Sequence, residues 1–198
     1  MPGPPRTAVA AALAATALVA AGCGGSSSSS SSSSADAALS ADARSAATGD
    51  IPDNQSFLTF VNARGGYSIR YPEGWARSGA GRDVTFRDKN NLVHIVIARG
   101  GAPSVAGVRS ELAKLQRSSP TLRARAPQRV TIGGTPMVKV VYTTLSAPNP
   151  VTGRRVTLVV DRYELARGGT RATVELGTPR GVDNVDGYRM MIESFRWR

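Results

Sequence analysis

Few side chains in this chain have types and spacings that could support chemistry. His94 is the only histidine and Cys23 the only cysteine among 198 residues. A single histidine excludes a multi-histidine metal site, and no acidic or thiolate neighbour of His94 can be identified from the sequence. We therefore predict that His94 is a structural or surface residue and not a general base. No metal site and no cofactor are expected.

Carboxylates provide the remaining catalytic alternative. A hydrolase would need an unrecognised arrangement around Glu73, Asp161 or Glu164, and no motif links these residues. We therefore predict no catalytic residues and no enzymatic activity, and we rank the hydrolase lowest among the alternatives.

Two further groups of residues are candidate binding sites. Tyr71, Glu73 and Trp75 could line a cleft, although their spacing fits a strand end, a turn and a core aromatic residue, which is the interpretation we favour. The formal net charge is +11, and only three of the 25 basic residues are lysines. Such a balance favours anionic partners and also improves solubility. The candidate basic patch consists of Arg154, Arg155, Arg162, Arg167 and Arg171.

The amino terminus has the pattern of an export signal. Arg6 precedes an apolar stretch of small residues from Ala8 to Ala21, which is too short to span a bilayer comfortably. The following run Leu18-Val19-Ala20-Ala21-Gly22-Cys23 resembles the lipobox of bacterial lipoproteins. This resemblance implies a signal peptide over residues 1–22, lipidation of Cys23 and anchoring at the extracytoplasmic face of the cell membrane. The alternative is an ordinary secretory signal beside a free cysteine.

Residues 23–56 are expected to form the lipidated cysteine and a tether. Serine fills positions 26–34, and alanine, aspartate and serine predominate from there to about residue 50. This composition cannot build a hydrophobic core, and Gly/Ser-rich chains behave as flexible linkers. The remaining residues, 57–198, are therefore expected to form a single globular domain.

Alternation of apolar and polar residues predicts a mostly antiparallel sheet in that domain. Short Gly and Asn clusters, such as Lys89-Asn90-Asn91, Gly133-Gly134 and Arg167-Gly168-Gly169, are typical of hairpin turns. The predicted strands are Gly66–Tyr71, Asp83–Arg87, Leu92–Ala98, Arg129–Ile132, Pro136–Leu145, Arg154–Leu165 and Arg171–Thr178.

Two segments have helical periodicity instead. Val105–Ser118 places Val108, Leu112 and Leu115 on one face. Val182–Ser194 likewise groups four apolar residues on one face, namely Val185, Tyr188, Met191 and Ile192. The last residues, 195–198, are expected to form a closing strand or to pack their two aromatic rings under the last helix. Together these elements predict an α+β domain with an antiparallel sheet flanked by helices.

The run Gly66-Tyr67-Ser68-Ile69-Arg70-Tyr71-Pro72-Glu73-Gly74-Trp75, the order of elements and the ending Ser194-Phe195-Arg196 resemble the PsbP-like fold. That fold is named for an extrinsic protein of photosystem II and occurs in many bacterial lipoproteins and in a Ran-GTPase-binding protein. The resemblance covers about residues 57–198 and implies a binding or assembly factor without enzymatic activity. Metal binding by PsbP relatives does not carry over, because no matching ligand cluster can be named.

Our first hypothesis is a noncatalytic, lipid-anchored binding or assembly module of the cell envelope. Its expected partners are the membrane, through the lipid anchor, and an envelope protein. Nucleic acid is not expected, because the predicted location is outside the cell and no aromatic platform accompanies the basic residues. The alternative is a carrier that encloses a small hydrophobic ligand between its sheet and a helix.

Overall fold

The computed structural model describes residues 49–149 and 151–198. The predicted signal peptide, Cys23 and most of the expected tether lie outside these residues. The described elements follow one another as β1 Phe57–Asn62, β2 Tyr67–Pro72, β3 Ala76–Ala80, β4 Asp83–Asp88, β5 Asn91–Arg99, α1 Val105–Ser118, β6 Arg123–Ala124, β7 Gln128–Ile132, β8 Thr135–Leu145, β9 Thr157–Arg167, β10 Thr170–Pro179, α2 Val185–Ser194 and β11 Arg196–Trp197. Neither described helix is long and apolar enough to cross a membrane.

The strands form two antiparallel sheets. The large sheet has the order β3-β4-β5-β10-β9-β8-β6, and β7 pairs with the first half of β8. The small sheet has the order β1-β2-β11. The predicted α+β class with an antiparallel sheet and flanking helices is therefore confirmed.

Each face of the large sheet is covered by different elements. Along β5, the side chains of Val93, Ile95 and Ile97 alternate with those of His94 and Val96. The first set is buried against the small sheet and α2, on what we call the α2 face. The opposite side of the sheet, the α1 face, carries a second apolar cluster in which α1 packs on β8 and β9.

Both predicted helices are present. α1 has the predicted bounds, and its first turn is capped by Ser104, whose Oγ accepts a hydrogen bond from the Gly107 amide at 3.0 Å. α2 begins three residues later than predicted, at Val185. Val185 was expected on the same face as Tyr188, Met191 and Ile192 but is 71% exposed at the first position of the helix.

The three predicted hairpins are confirmed. Gly133 and Gly134 form a two-residue turn between β7 and β8 with φ angles of 54° and 77°, which side chains other than glycine rarely adopt. At the carboxyl terminus the expected closing strand is present. β11 pairs with β2, and the Phe195 ring stacks on Tyr67 at 5.3 Å between centroids.

Apart from shifts of one residue at strand ends, four strands differ from the prediction. The two-residue β6 was not predicted, because it is too short to show alternation. β1 and β3 were not predicted, because the apolar residues of β1 do not alternate strictly and every residue of β3 is exposed. β9 begins at Thr157, three residues after the predicted start. Arg154 and Arg155 therefore lie in the loop before the strand.

The first described residues pack on one end of the large sheet. The backbone amide of Ile51 donates to Asn184 Oδ1 at 2.7 Å, and the carbonyl oxygen of Gly49 accepts from the side-chain amides of Asn184 and Asn91. The tether was expected to extend to Ser56, but residues 49–56 contact the domain. We call this the Gly49 end of the domain.

Candidate functional site

A network of charged side chains covers part of the α1 face beside α1. Glu164 on β9 is fully buried, and its Oε1 accepts hydrogen bonds from Arg162 Nε at 2.9 Å and Arg162 Nη2 at 2.6 Å. Arg171 on β10 pairs with the other oxygen of Glu164. Glu111 of α1 lies 3.1 Å from Arg162 and 3.0 Å from Arg171. Two cations thus neutralise the buried carboxylate.

His94 connects this network to the strands at one edge of the sheet. Its Nε2 lies 2.9 Å from Asp83 and its Nδ1 3.3 Å from Glu175, which also accepts a hydrogen bond from the Tyr142 hydroxyl at 2.9 Å. No acidic neighbour of His94 could be identified from the sequence, but two carboxylates lie beside it in the structure. Strand pairing brings both carboxylates close to His94. Glu175 of β10 lies directly opposite His94, and Asp83 lies two residues before Thr85, the residue of β4 that is opposite His94.

The pKa values in this cluster follow from these contacts. Hydrogen bonds to Glu175 and Asp83 raise the pKa of His94 above its ordinary value, despite partial burial. Burial alone would raise the pKa of Glu175, but the contacts with His94, Arg162 and Tyr142 outweigh burial and lower it. Burial, together with the charge of Glu175, raises the pKa of Tyr142. Glu175 is therefore an anion at neutral pH, and Arg162 partly neutralises its charge.

The structure does not bring the five arginines of the candidate basic patch together. Arg162 and Arg171 are occupied by carboxylates on the α1 face. Arg154 and Arg155 lie at the Gly49 end, in the loop between β8 and β9, whereas Arg167 lies at the opposite end of β9. Strand direction and ion pairing separate residues that are close in the sequence.

The candidate cleft residues lie at a strand end, a turn and the core. The Tyr71 ring stacks on Phe86 with centroids 4.3 Å apart, and Trp75 is buried in the cluster of the α2 face. Glu73 is exposed, and its backbone amide bonds to the carbonyl of Ser56 at 2.8 Å. None of these three residues lines the groove described below.

The three carboxylates of the hydrolase alternative also lie apart. Asp161 points to the α2 face, Glu164 to the α1 face, and Glu73 lies in the turn after β2. Within residues 49–149 and 151–198, no group of three or more histidine, cysteine, aspartate or glutamate residues is arranged to hold a metal ion.

An open groove of about 500 Å³ runs along α2. Strands β8 and β9 form its floor on the α2 face, α2 forms one wall, and the β7–β8 hairpin and the loop after β10 close its ends. Apolar side chains dominate the lining, with contributions from Ile132, Val159, Tyr163, Val182, Val185 and Ile192. A volume of this size is within the usual range of ligand pockets.

The charges in the groove are balanced. Lys139 Nζ lies 2.6 Å from Asp161 on the floor and 5.1 Å from the centre of the Tyr163 ring. Burial alone would lower the pKa of Lys139, but Asp161 and Tyr163 outweigh burial and raise it. On the wall, Arg189 Nε lies 2.9 Å from Glu193. The groove therefore favours an occupant with a largely apolar body over a strongly charged one.

Sequence reasoning did not identify the groove. Its lining comes from the β7–β8 hairpin, two adjacent strands, a loop and α2, which are brought together only by the fold. One signal was available: Val185 and Val182 precede the buried part of α2, and apolar residues at an exposed helix start are a feature of binding surfaces.

Similarity to known proteins was found among solved structures. No protein-family model matches the chain, and no curated protein matches it. The solution structure of cyanobacterial PsbP from Synechocystis sp. PCC 6803 is 16% identical with a TM-score of 0.55, over 76% of this chain and 98% of that one. The Ran-binding protein Mog1p of Saccharomyces cerevisiae is 12% identical with a TM-score of 0.48, over 73% of this chain and 96% of that one. The strand order, the two helices and the likeness to cyanobacterial PsbP together show that the described residues, 49–149 and 151–198, have a PsbP-like fold.

Proposed function

We propose that this chain is a noncatalytic binding or assembly module that a lipid on Cys23 holds at the extracytoplasmic face of a bacterial cell membrane. The observation that carries the proposal is the open, mainly apolar groove between α2 and the large sheet. Apolar surface left open to solvent along a packed helix is costly in a folded protein unless a partner covers it.

The arrangement of charged groups supports a binding role. Two carboxylates that are shielded from water, Glu164 and Glu175, are engaged by arginines, a histidine and a tyrosine hydroxyl. Such engagement holds both carboxylates in fixed positions, and the contacts with His94 and Arg162 lower the pKa of Glu175, which suits a structural scaffold. The PsbP-like fold supplies the scaffold, and a fold does not by itself assign a function.

The anchoring part of the proposal rests on the sequence. The run Leu18–Cys23 has the lipobox pattern, and the Ser-rich segment after it separates the lipidated cysteine from Gly49. Lipid chains contribute about 0.8 kcal/mol for each buried methylene, and two chains give stable anchoring.

A crosslinking experiment on intact cells tests place and partner together. A photoreactive amino acid at Val185, which borders the groove, should capture one envelope protein in the anchored chain and lose it in the Cys23→Ala variant. The matched control is the same amino acid at Met190, which is exposed on α2 but does not line the groove. Equal capture from both positions would contradict the groove as the binding site, and a Cys23→Ala variant that stays in the membrane fraction would contradict the anchor.

A second candidate function, a carrier of a small hydrophobic ligand, is favoured by the same groove, which is enclosed by sheet and helix as that hypothesis requires. Solvent extraction and mass spectrometry of the purified protein separate the two functions. A single co-purifying apolar molecule that Val185→Asp removes would support the carrier. Extracts that contain only bulk lipid in both variants would contradict it.

A further inference from the structure

One end of the domain carries exposed arginines from five chain segments. These segments are the β1–β2 turn, the β3–β4 turn, the end of β5, the β9–β10 turn and the carboxyl-terminal residue. Each contributes one exposed arginine, namely Arg64, Arg82, Arg99, Arg167 and Arg198. We call this surface the arginine end. Arg196 lies beside it, but its guanidinium donates to the carbonyls of Glu193 and Phe195.

Hydrogen bonds join four of the five segments, each to its neighbour on the surface. The Asn62 side chain donates to Gly81 O at 2.7 Å, which joins the β1–β2 and β3–β4 turns. The amide of Arg198 donates to Gly66 O at 2.8 Å, which joins the β1–β2 turn to the terminal residue. Arg167 then donates to the carbonyl of Trp197 at 3.3 Å.

The end of β5 is joined to both the β9–β10 turn and the β3–β4 turn. The amide of Gly100 donates to Gly169 O at 3.0 Å, and the amide of Ile97 donates to Arg82 O at 2.7 Å. The five segments that carry these arginines are therefore tied to one another, so that the relative positions of their backbones are set by the fold.

The charge of this surface is not neutralised within the described part of the chain. None of the five arginines forms an ion pair with a carboxylate of residues 49–149 or 151–198. The nearest acidic residue along the chain is Asp83, and its carboxylate faces His94. By contrast, the turns at the Gly49 end mix both signs, with Glu73, Asp88 and Asp183 beside Arg154 and Arg180.

We propose that the arginine end is a docking surface for an acidic protein surface. Guanidinium groups match carboxylates in geometry and form paired hydrogen bonds with them. Protein interfaces are also enriched in arginine relative to the rest of the protein surface. Val61, which is 52% exposed just before the β1–β2 turn, supplies apolar area beside Arg64.

The position of this surface selects a protein over lipid head groups. Gly49 is bonded to Asn91 at the start of β5, and Arg99 ends that strand eight residues later, so the two ends are roughly 26 Å apart. A lipid on Cys23 would attach the domain through its Gly49 end, so the arginine end lies farthest from the point of attachment and is open to a partner beyond the membrane surface. This choice of partner rests on the proposed anchoring, whereas the arginine surface itself does not.

Charge reversal on the full chain with Cys23→Ser tests the proposal. The triple variant Arg64→Glu, Arg82→Glu and Arg99→Glu is compared with the control triple Lys114→Glu, Arg125→Glu and Arg154→Glu. All six side chains are exposed, and both triples change the net charge equally. The probes are a fluorescent poly-L-glutamate peptide, inorganic polyphosphate and phosphatidylglycerol vesicles, all at physiological ionic strength.

We expect the arginine-end triple to weaken peptide binding by about tenfold or more and the control triple by less than about threefold. Equal losses in both triples, or no binding of the peptide by the unsubstituted chain, would overturn the proposal. Tighter binding of polyphosphate or vesicles that depends on the arginine end would assign the surface to an anionic polymer or to lipid instead. If the Glu triple does not fold, the corresponding Gln triple tests the same loss of charge.

The result does not depend on the anchor. Equal binding of the peptide by the two triple variants would overturn the proposed docking surface. It would not bear on the lipidation of Cys23. Release of the Cys23→Ala chain from the membrane fraction is judged separately, by fractionation of cells that carry an unaltered arginine end.

Discussion

His94 Nδ1 lies 3.3 Å from Oε2 of Glu175, directly across two antiparallel strands at the centre of the large sheet. The other ring nitrogen contacts Asp83 at the start of β4. One imidazole therefore connects the outer β3–β4 hairpin to β10. Protonation of the ring turns both contacts into ion pairs, so the connection depends on pH.

We expect the free energy of unfolding to fall as the pH rises through the folded-state pKa of His94. The contacts with Glu175 and Asp83 raise this pKa above the ordinary value of 6.5, so the folded state binds more protons than the unfolded state between the two values. The extra stability is complete below the ordinary pKa and is lost above the raised one. Urea unfolding over a pH series measures the effect, and His94→Gln should remove it. An unchanged pH dependence in His94→Gln would show that another group titrates.

Glu164→Gln should lower the free energy of unfolding by about 3 kcal/mol, because it removes the buried negative charge that Arg162 and Arg171 both contact and leaves them only the more exposed Glu111 as a shared anion. Glu193→Gln is the control, since Glu193 pairs with Arg189 at an exposed site, where such a change costs within about 0.5 kcal/mol. Denaturant unfolding of both variants measures the difference. Similar losses of unfolding free energy in the two variants would mean that burial does not strengthen the contribution of the Glu164 ion pairs.

Local sequence patterns were sufficient to predict most of the fold. The alternation in β5 and β10, the glycine turns and the face of α1 each depend on residues close together in the chain. β3 was missed because an exposed edge strand carries no apolar alternation, and its pairing with β4 becomes visible only in the structure.

The charged network and the groove needed tertiary information. Arg162 and Glu164 share a strand face two residues apart, and that spacing could have been recognised. Glu111 reaches the same site from a helix more than fifty residues earlier, which no local pattern indicates. His94 was judged to have no acidic neighbour for the same reason, since the register that places Glu175 opposite it is set by the whole sheet.

Gly79→Ala should destabilise the domain more than Gly81→Ala. Both glycines have positive φ angles, 77° and 62°, so both substitutions strain the backbone by about 1 kcal/mol. A Cβ at Gly79 would in addition overlap the carbonyl oxygen of Asp83, whereas nothing lies within 4 Å of a Cβ at Gly81. We expect Gly79→Ala to cost at least about 2 kcal/mol, measured by urea unfolding. Equal costs for the two variants would show that β3 moves freely to relieve the contact.

Val185→Asp should weaken the binding of an apolar fluorescent probe such as anilinonaphthalene sulfonate by about tenfold, because it places a charge where the probe would bury its rings. Met190→Asp adds the same charge to an exposed position of α2 that does not line the groove, and probe binding should remain within about twofold of the original. Because both side chains are exposed, neither change should alter the unfolding midpoint appreciably. Fluorescence titration gives the two dissociation constants. If Met190→Asp weakens the probe as strongly as Val185→Asp, the apolar binding surface of α2 lies outside the groove.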